Sequence, residues 1–149
     1  MADQPKLIAL DLGERRIGLA VSGPGGMTLP AGHIVRSKLT EDVRQVILSA
    51  QERKAQGVVV GIPHNMEGKP DTAAKLACGF IRALRRAISD ESPLTVYEMD
   101  ERYTSVEAEG LLRESGVQPS RDRASVDETA AMLILQRFLL SPLSRMGEG

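Results

Sequence analysis

Short apolar segments of the kind that form β-strands occupy the first quarter of the chain. Two of them, Leu7–Leu12 and Ile17–Val21, flank a glycine-containing turn at residues 13–16, which predicts a β-hairpin. A third segment, Met27–Val35, contains proline and glycine and predicts an irregular strand. Asp11 breaks the pattern, because it places a carboxylate inside the first apolar segment. A buried charge is costly unless it has a partner, so Asp11 requires solvent, a hydrogen-bond donor or a cation.

Beyond residue 39 the apolar spacing changes from that of strands to that of helices, with two strands between them. The pattern predicts helices that begin at Thr40, Asp71, Thr104 and Ser125, and strands at Val58–Val60 and Pro93–Glu98. The last helix is expected to run through Leu140. Ser125 and Glu128 have the spacing of a capping box, which favours a structural role for Glu128.

The predicted order of elements is three strands followed by helices that alternate with strands. This order indicates an α/β fold with a mixed five-stranded sheet and helices on both faces. We expect one domain over residues 1–149, with disordered tails at 1–5 and 144–149. The Gly61–Pro70 loop follows a buried strand, where α/β proteins usually place functional groups. Its lone histidine, His64, is not assigned a catalytic role, because a single loop histidine is more often simply exposed.

Composition narrows the classes of function without choosing one. A net charge of −1 argues against a protein that coats nucleic acid by bulk attraction, although a local basic face is compatible with it. Two Phe, two Tyr and no Trp argue against a base-stacking platform. The sequence shows no signal-peptide pattern and no membrane-length apolar run, and Cys78 is the single cysteine. We therefore expect a cytoplasmic protein that does not bind membranes.

Acidic residues occur at three points that an α/β sheet could bring together. Asp11 lies near the end of the first strand, Asp100 and Glu101 follow the last strand, and Asp127 lies in the first turn of the last helix. Asp127 shares a helical stripe with apolar residues, so it is expected to face protein; these are Ala131, Ile134 and Phe138. The pattern alone does not choose between Asp100 and Glu101.

Carboxylates that converge repel one another unless a cation lies between them. Oxygen ligands suit Mg²⁺ or Mn²⁺ better than Zn²⁺. Two such ions held by acids are the usual device for in-line attack of water on a phosphodiester. The sequence therefore predicts a divalent-metal site, provided that the three points meet.

Four segments, in order over nearly the whole chain, resemble the YqgF/RuvX family; they are residues 11–22, 60–68, 100–109 and 126–139. The resemblance implies an RNase H-like fold like that of RuvC-type Holliday junction resolvases. It implies a nuclease that processes the 5′ end of pre-16S rRNA during ribosome biogenesis. It also implies that the catalytic and metal-binding acids are Asp11, Glu101 and Asp127.

Three positions depart from the family pattern. Gly23 stands where an Asp is frequent, so a ligand at that position is absent. Ser105 replaces a common Thr, which is a mild change. The predicted loop at 116–124 lacks the usual Lys-Lys-Gly run and offers Arg121 and Arg123 instead.

Basic residues near the acids have two interpretations. They either contact substrate phosphates or balance the charge of the acids, and the sequence does not separate the two. The candidates for nucleic-acid contact are Arg15, Arg16, Arg102, Lys69, Arg121 and Arg123. The last three could equally form an ordinary solvated face.

The leading hypothesis is a metal-dependent nuclease acting on structured RNA, and the first alternative is a Holliday junction resolvase acting on branched DNA. A resolvase would need a homodimer to cut two strands symmetrically. A second alternative is a non-catalytic nucleic-acid-binding or ribosome-assembly protein, which the residue at Gly23 favours. A nucleotide-binding protein of the actin or sugar-kinase type is disfavoured, because those proteins close two domains over ATP.

Overall fold

The structure is a computed structural model that describes residues 6–62, 72–91, 93–100 and 123–140; at position 100 and at 123–126 only the backbone is described. The strands are β1 (Leu7–Leu12), β2 (Arg16–Ser22), β3 (Thr28–Val35), β4 (Gly57–Ile62) and β5 (Thr95–Asp100). The helices are α1 (Leu39–Glu52), α2 (Thr72–Ala87) and α3 (Arg123–Leu140), with a short 3₁₀ turn at Pro24–Gly26.

The five strands form one mixed sheet in the order β3-β2-β1-β4-β5. β2 is antiparallel to both of its neighbours, β1 and β3, whereas β4 runs parallel to β1 and β5 runs parallel to β4. In the β1–β2 hairpin, Asp11 lies directly opposite Gly18. This arrangement confirms the predicted mixed five-stranded sheet, with its antiparallel strands first.

Helices cover both faces of the sheet, as predicted. On one face, α1 and α2 enclose a core of large aliphatic and aromatic residues that includes Ile8, Leu10, Val46, Phe80 and Leu84. On the other face, α3 packs over smaller strand residues, among them Ala9, Ala20 and Val59. Strands β1, β2, β4 and β5 contribute to both cores, because successive side chains point to opposite faces. Among the described residues, no helix is long and apolar enough to cross a membrane.

Two predicted helix starts are wrong, and both errors have a tertiary cause. Helix α1 begins at Leu39, so Thr40 lies inside it and makes no cap. The Asp42 carboxylate instead accepts a hydrogen bond from the Ser37 backbone N–H, at 2.9 Å, and holds the chain that enters the helix. Helix α3 begins at Arg123 rather than Ser125, so the predicted capping box does not open it.

The predicted strand positions are right, with small shifts at their ends. β5 begins two residues later than predicted, where its pairing with β4 starts at Gly57 opposite Thr95. The predicted helix from Thr104, most of the Gly61–Pro70 loop and the tails at 1–5 and 144–149 lie outside the described residues. The single-domain assignment over 1–149 stays a prediction.

Candidate active site

Asp11 lies on the sheet face that α3 covers. Leu7 and Ala9, four and two residues earlier on β1, belong to the core beneath α3, and strand alternation places Asp11 on the same side. The residue is only 6% exposed. The sequence therefore places a carboxylate in the protein interior near the end of a central strand, where its surroundings must stabilise the charge.

Asp127 reaches the same place because Gly18 has no side chain. A Cβ added at Gly18 would overlap the carbonyl oxygen of Asp127 and lie 2.8 Å from the Asp127 Cβ. Gly18 is also the cross-strand partner of Asp11, and paired Cα atoms in antiparallel strands lie about 4.5–5.5 Å apart. The glycine thus allows the first turns of α3 to approach the backbone directly beside Asp11.

The predicted helical stripe of α3 is confirmed. Ala131, Ile134 and Phe138 are buried in the core under this helix. Asp127 lies on the same stripe, one turn earlier, and is partly buried against β2. Asp127 therefore lies against the strand partner of Asp11, on the same face of the sheet.

Arg16, the first residue of β2, forms an ion pair with Asp127. Its Nε donates a hydrogen bond to Oδ2 of Asp127 at 3.1 Å, and the two side chains are 28% and 20% exposed. The pair joins residues 111 positions apart in the chain. In the described structure, Arg16 balances the charge of an acid, which is one of the two interpretations that its sequence allowed.

A second ion pair fixes the turn from which Arg16 extends. Asp42 is 1% exposed, and its Oδ2 accepts a hydrogen bond from Arg36 Nε at 3.1 Å. The Arg36 guanidinium also donates to the carbonyl of Gly13 at 2.9 Å, and its backbone N–H donates to the carbonyl of Arg15 at 2.8 Å. Arg36 thereby ties the start of α1 to the β1–β2 turn beside the acids.

Two polar contacts attach α3 to β3. Glu128 Oε2 accepts a hydrogen bond from the Gly32 backbone N–H at 3.2 Å, and Gln136 donates to the Thr28 hydroxyl at 3.1 Å. The prediction that Glu128 closes a capping box with Ser125 is therefore wrong. The carboxylate instead binds an amide 96 residues away in the sequence.

The remaining predicted site residues lie at the limits of what the structure describes. Arg15 is exposed in the β1–β2 turn, and Arg123 is the first residue of α3. The residues outside the described ranges are Lys69, Glu101, Arg102 and Arg121. Within the described ranges no three His, Cys, Asp or Glu side chains are grouped closely enough to hold a metal ion.

Asp11 and Asp127 supply the kind of ligand atom that Mg²⁺ and Mn²⁺ prefer. Both are oxygen donors, and they lie on regular elements on the same side of the sheet. One oxygen of Asp127 is bound by the guanidinium of Arg16. The chemistry of these donors is therefore compatible with a divalent ion.

Sequence reasoning missed Asp42, Arg36 and Gly18. Asp42 stood in a predicted first helical turn, where an exposed acid is commonplace. No local sequence pattern marks Arg36 or Gly18. Arg36 contacts the Gly13 carbonyl in the β1–β2 turn, and Gly18 lies against Asp127 of α3, so the partner of each is distant in the sequence. Successive residues of β5 serve opposite faces, since Val96 belongs to the α1–α2 core, and Tyr97 and Met99 pack against the α3 core.

Solved structures with the same fold include several resolvases. T. thermophilus RuvC in complex with a Holliday junction substrate aligns with a TM-score of 0.59 and 17% identity, over 96% of each chain. The yeast mitochondrial Holliday junction resolvase Ydc2 aligns with a TM-score of 0.56 and 8% identity, over 99% of this chain and 82% of that one. At these identities the comparison shows that the fold is RNase H-like, as in the RuvC-type resolvases.

Curated relatives are considerably more similar in sequence. Proteins of Synechococcus elongatus and Rhodococcus erythropolis are 38% and 39% identical to this chain, over 89% of it and over 87% and 76% of their own lengths. A protein of Chloroflexus aurantiacus is 37% identical over 89% of this chain and 85% of its own. All three bear the provisional name pre-16S rRNA nuclease.

The family comparison covers most of the chain. Residues 5–141 match the RuvX family, which is described as Holliday junction resolvase. The match includes Asp11, Glu101 and Asp127, although it does not by itself assign them a role. On this match and on the identity to its relatives, the chain belongs to the RuvX family.

Proposed function

We propose that this protein is a divalent-metal-dependent nuclease that hydrolyses phosphodiester bonds in structured RNA. Within that class, the processing of the 5′ end of pre-16S rRNA in the cytoplasm is the function best supported. The observation that carries the proposal is the close approach of Asp127 to Gly18, the strand partner of Asp11. Family membership and the names of the relatives independently indicate a nuclease.

The metal ligands in this proposal are Asp11, Asp127 and Glu101. Glu101, which lies outside the described residues, is chosen over Asp100 because of the resemblance of residues 100–109 to the family. When bound, Mg²⁺ or Mn²⁺ would activate water for attack on phosphorus and stabilise the leaving oxygen.

The protein contributes positioning and local charge. β1 and β2 are central strands of the sheet, so the backbones of Asp11 and Arg16 are held by strand pairing on both sides. The Arg36–Asp42 pair fixes the adjoining turn, which presents the exposed side chain of Arg15. In our proposal Arg15 contacts substrate phosphate at the rim of the acid site, and Arg102, Lys69, Arg121 and Arg123 extend that contact surface.

Branched DNA is the alternative substrate, because the family is described by Holliday junction resolution. Symmetrical cleavage of a junction would require a homodimer. The names of the more similar relatives favour RNA. The experiment below compares both substrates directly.

Cleavage is measured on an RNA that spans the 5′ end of 16S rRNA and on a four-way DNA junction, with Mg²⁺, with Mn²⁺ and with EDTA. We expect the wild-type protein to cut the RNA only with a divalent ion. Asp11→Asn and Asp127→Asn should each abolish cleavage while the proteins stay folded in thermal melts. Asp90→Asn, which removes an exposed carboxylate elsewhere, is the matched control and should cut normally.

Three outcomes would overturn all or part of the proposal. Cleavage of equal rate by Asp11→Asn and wild type would remove the acid site from the reaction. Specific binding of the RNA without cleavage under any metal condition would favour a ribosome-assembly role. Preferential cleavage of the junction would replace RNA by branched DNA as the substrate.

A further inference from the structure

Arg16 binds the carboxylate of Asp127, for which a divalent ion would compete. Its Nε lies 3.1 Å from Oδ2 of Asp127, and this acid is a ligand in the proposed metal site. An ion bound by Asp127 and a guanidinium on the same carboxylate repel each other, because both are positive. Partial burial of both side chains weakens the screening of that repulsion by solvent.

The backbone of Arg16 is fixed, whereas its side chain has room to move. Its carbonyl accepts a hydrogen bond from the Gly13 N–H at 2.9 Å, and the residue pairs with Val35 across the sheet. The side chain is 28% exposed, so part of it is in contact with solvent. A long arginine side chain on a fixed strand end can therefore leave Asp127 without any change of fold.

We propose that Arg16 is a built-in competitor of the metal ion, which holds Asp127 in the metal-free protein and is displaced when a divalent ion binds. This inference rests on the proposed function, since it requires the ion to use Asp127. It agrees with the charge-balance interpretation of Arg16, because the side chain balances the charge of Asp127 without the ion and is released towards solvent with it. Arg16 is a positioning residue in this state, since it acts through Asp127.

The exchange has a thermodynamic signature. Competition between Arg16 and the ion for one carboxylate is a negative coupling, so removal of the guanidinium should strengthen ion binding, on the order of tenfold. A residue that merely contacts substrate would leave ion affinity unchanged. If Arg16 instead oriented the Asp127 carboxylate for metal binding, its replacement would weaken the affinity for the ion.

The test is Mn²⁺ affinity of the whole protein without RNA, measured by calorimetry and by the electron paramagnetic resonance signal of free Mn²⁺. Arg16→Gln is compared with Arg15→Gln, which removes the same charge from the neighbouring exposed position. We expect Arg16→Gln to bind Mn²⁺ about tenfold more tightly than wild type, and Arg15→Gln to change affinity by less than about twofold. Arg16→Lys, which retains a charge without the guanidinium fork, should lie between them.

Thermal melts supply a second readout that does not depend on activity. With EDTA, Arg16→Gln should melt below wild type because Asp127 loses its partner. The rise in Tm on adding Mn²⁺ should be larger for Arg16→Gln than for wild type, since tighter binding to the folded state stabilises it more. A purely structural role for Arg16 would lower Tm equally with and without Mn²⁺.

The outcomes separate this inference from the function beneath it. Mn²⁺ binding by wild type that Asp127→Asn abolishes supports the metal site, and equal affinities of Arg16→Gln and Arg15→Gln would then overturn the exchange alone. Weaker binding by Arg16→Gln would also overturn it. The metal site and the exchange are both wrong if Asp127→Asn binds Mn²⁺ as tightly as wild type does. They are also both wrong if neither wild type nor Arg16→Gln binds Mn²⁺.

Discussion

The two faces of the sheet differ in the size of their side chains. Towards α1 and α2, the hairpin strands present large residues such as Leu10, Ile17 and Leu19, which form a continuous apolar core. Towards α3, the same strands present Gly18 and Ala20 together with two charged residues of the site. The face towards α1 and α2 therefore buries more apolar area, and the face towards α3 allows that helix to approach the strand backbone.

The comparison shows how a single hairpin can combine stability with chemistry. Large aliphatic residues contribute most to the free energy of unfolding, because burial scales with apolar area. Small residues bury less apolar area, but they allow Asp127 of α3 to approach the strand that carries Asp11. The following substitutions test this division, in order of decreasing expected effect on stability.

The largest effect is expected on the α1–α2 face. Leu84→Ala should lower the free energy of unfolding by about 2–5 kcal/mol, because it leaves a cavity at a fully buried position. Urea denaturation measures the change, and Mn²⁺ binding by the folded protein should stay as in wild type. Leu76→Ala is the matched control, since Leu76 is 67% exposed on the same helix and should cost less than about 0.5 kcal/mol. Loss of Mn²⁺ affinity in folded Leu84→Ala would contradict the division.

Gly18→Ala tests the α3 face. The added methyl group would overlap the Asp127 backbone, so we expect a loss of about 1–3 kcal/mol or more from forced displacement of α3. Cleavage by the folded protein should fall about 100-fold, because a shift of about 1 Å misplaces Asp127. The control is Gly79→Ala in α2, where the new Cβ would lie 4.0 Å from the end of the Arg82 side chain. Full activity of Gly18→Ala would show that the close approach is not required.

Asp42→Asn tests the connection that Arg36 makes between the start of α1, on one face of the sheet, and the β1–β2 turn beside the acids. Loss of this buried charge weakens its contacts with Arg36 and Ser37, and we expect a decrease of about 1–3 kcal/mol in the free energy of unfolding. Cleavage should fall less than in Gly18→Ala, since the turn is loosened while α3 stays in place. Asp90→Asn changes the net charge equally at an exposed site and should be neutral. An equally small effect of both variants on urea denaturation would argue against the link.

The smallest effect is expected at the exposed surface of α1. Hydrogen bonds from Arg44 and then Gln45 lower the pKa of Glu41 from its ordinary value of 4.5 to about 2. A lowered folded-state pKa stabilises the protein above the ordinary value, and this contribution is lost as the pH falls towards 2. The small difference in Tm between wild type and Glu41→Gln should therefore be present at pH 7, shrink between pH 4.5 and pH 2, and decrease in high salt. A difference that does not depend on pH would contradict this account.

Much of the architecture was predictable because it depends on short-range periodicity. Alternating apolar residues indicate strands, and spacings of three and four indicate helices. The same rule placed Asp127 on the inward stripe of the last helix. The order of strands and helices then limited the topology to a mixed sheet covered on both faces.

Errors and omissions arise where a distant segment replaces a local partner. Glu128 binds the Gly32 amide instead of a helix cap, and Asp42 binds Arg36 from a neighbouring strand end. Gly18 has the sequence signature of an ordinary strand glycine, yet its missing side chain determines where α3 lies. No local pattern specifies such contacts, because each depends on how two remote elements are oriented.

The sequence by itself determined the elements of this protein, the exceptional acid in its first strand and, through resemblance, its family. Only the tertiary structure decided that Asp127 lies over the strand partner of Asp11 and that Arg16 binds it across 111 residues of chain. The physical reason is that periodicity and propensity act within a few residues, whereas charge pairing and close packing act through space. The proposed site is therefore a consequence of how the helix packs on the sheet.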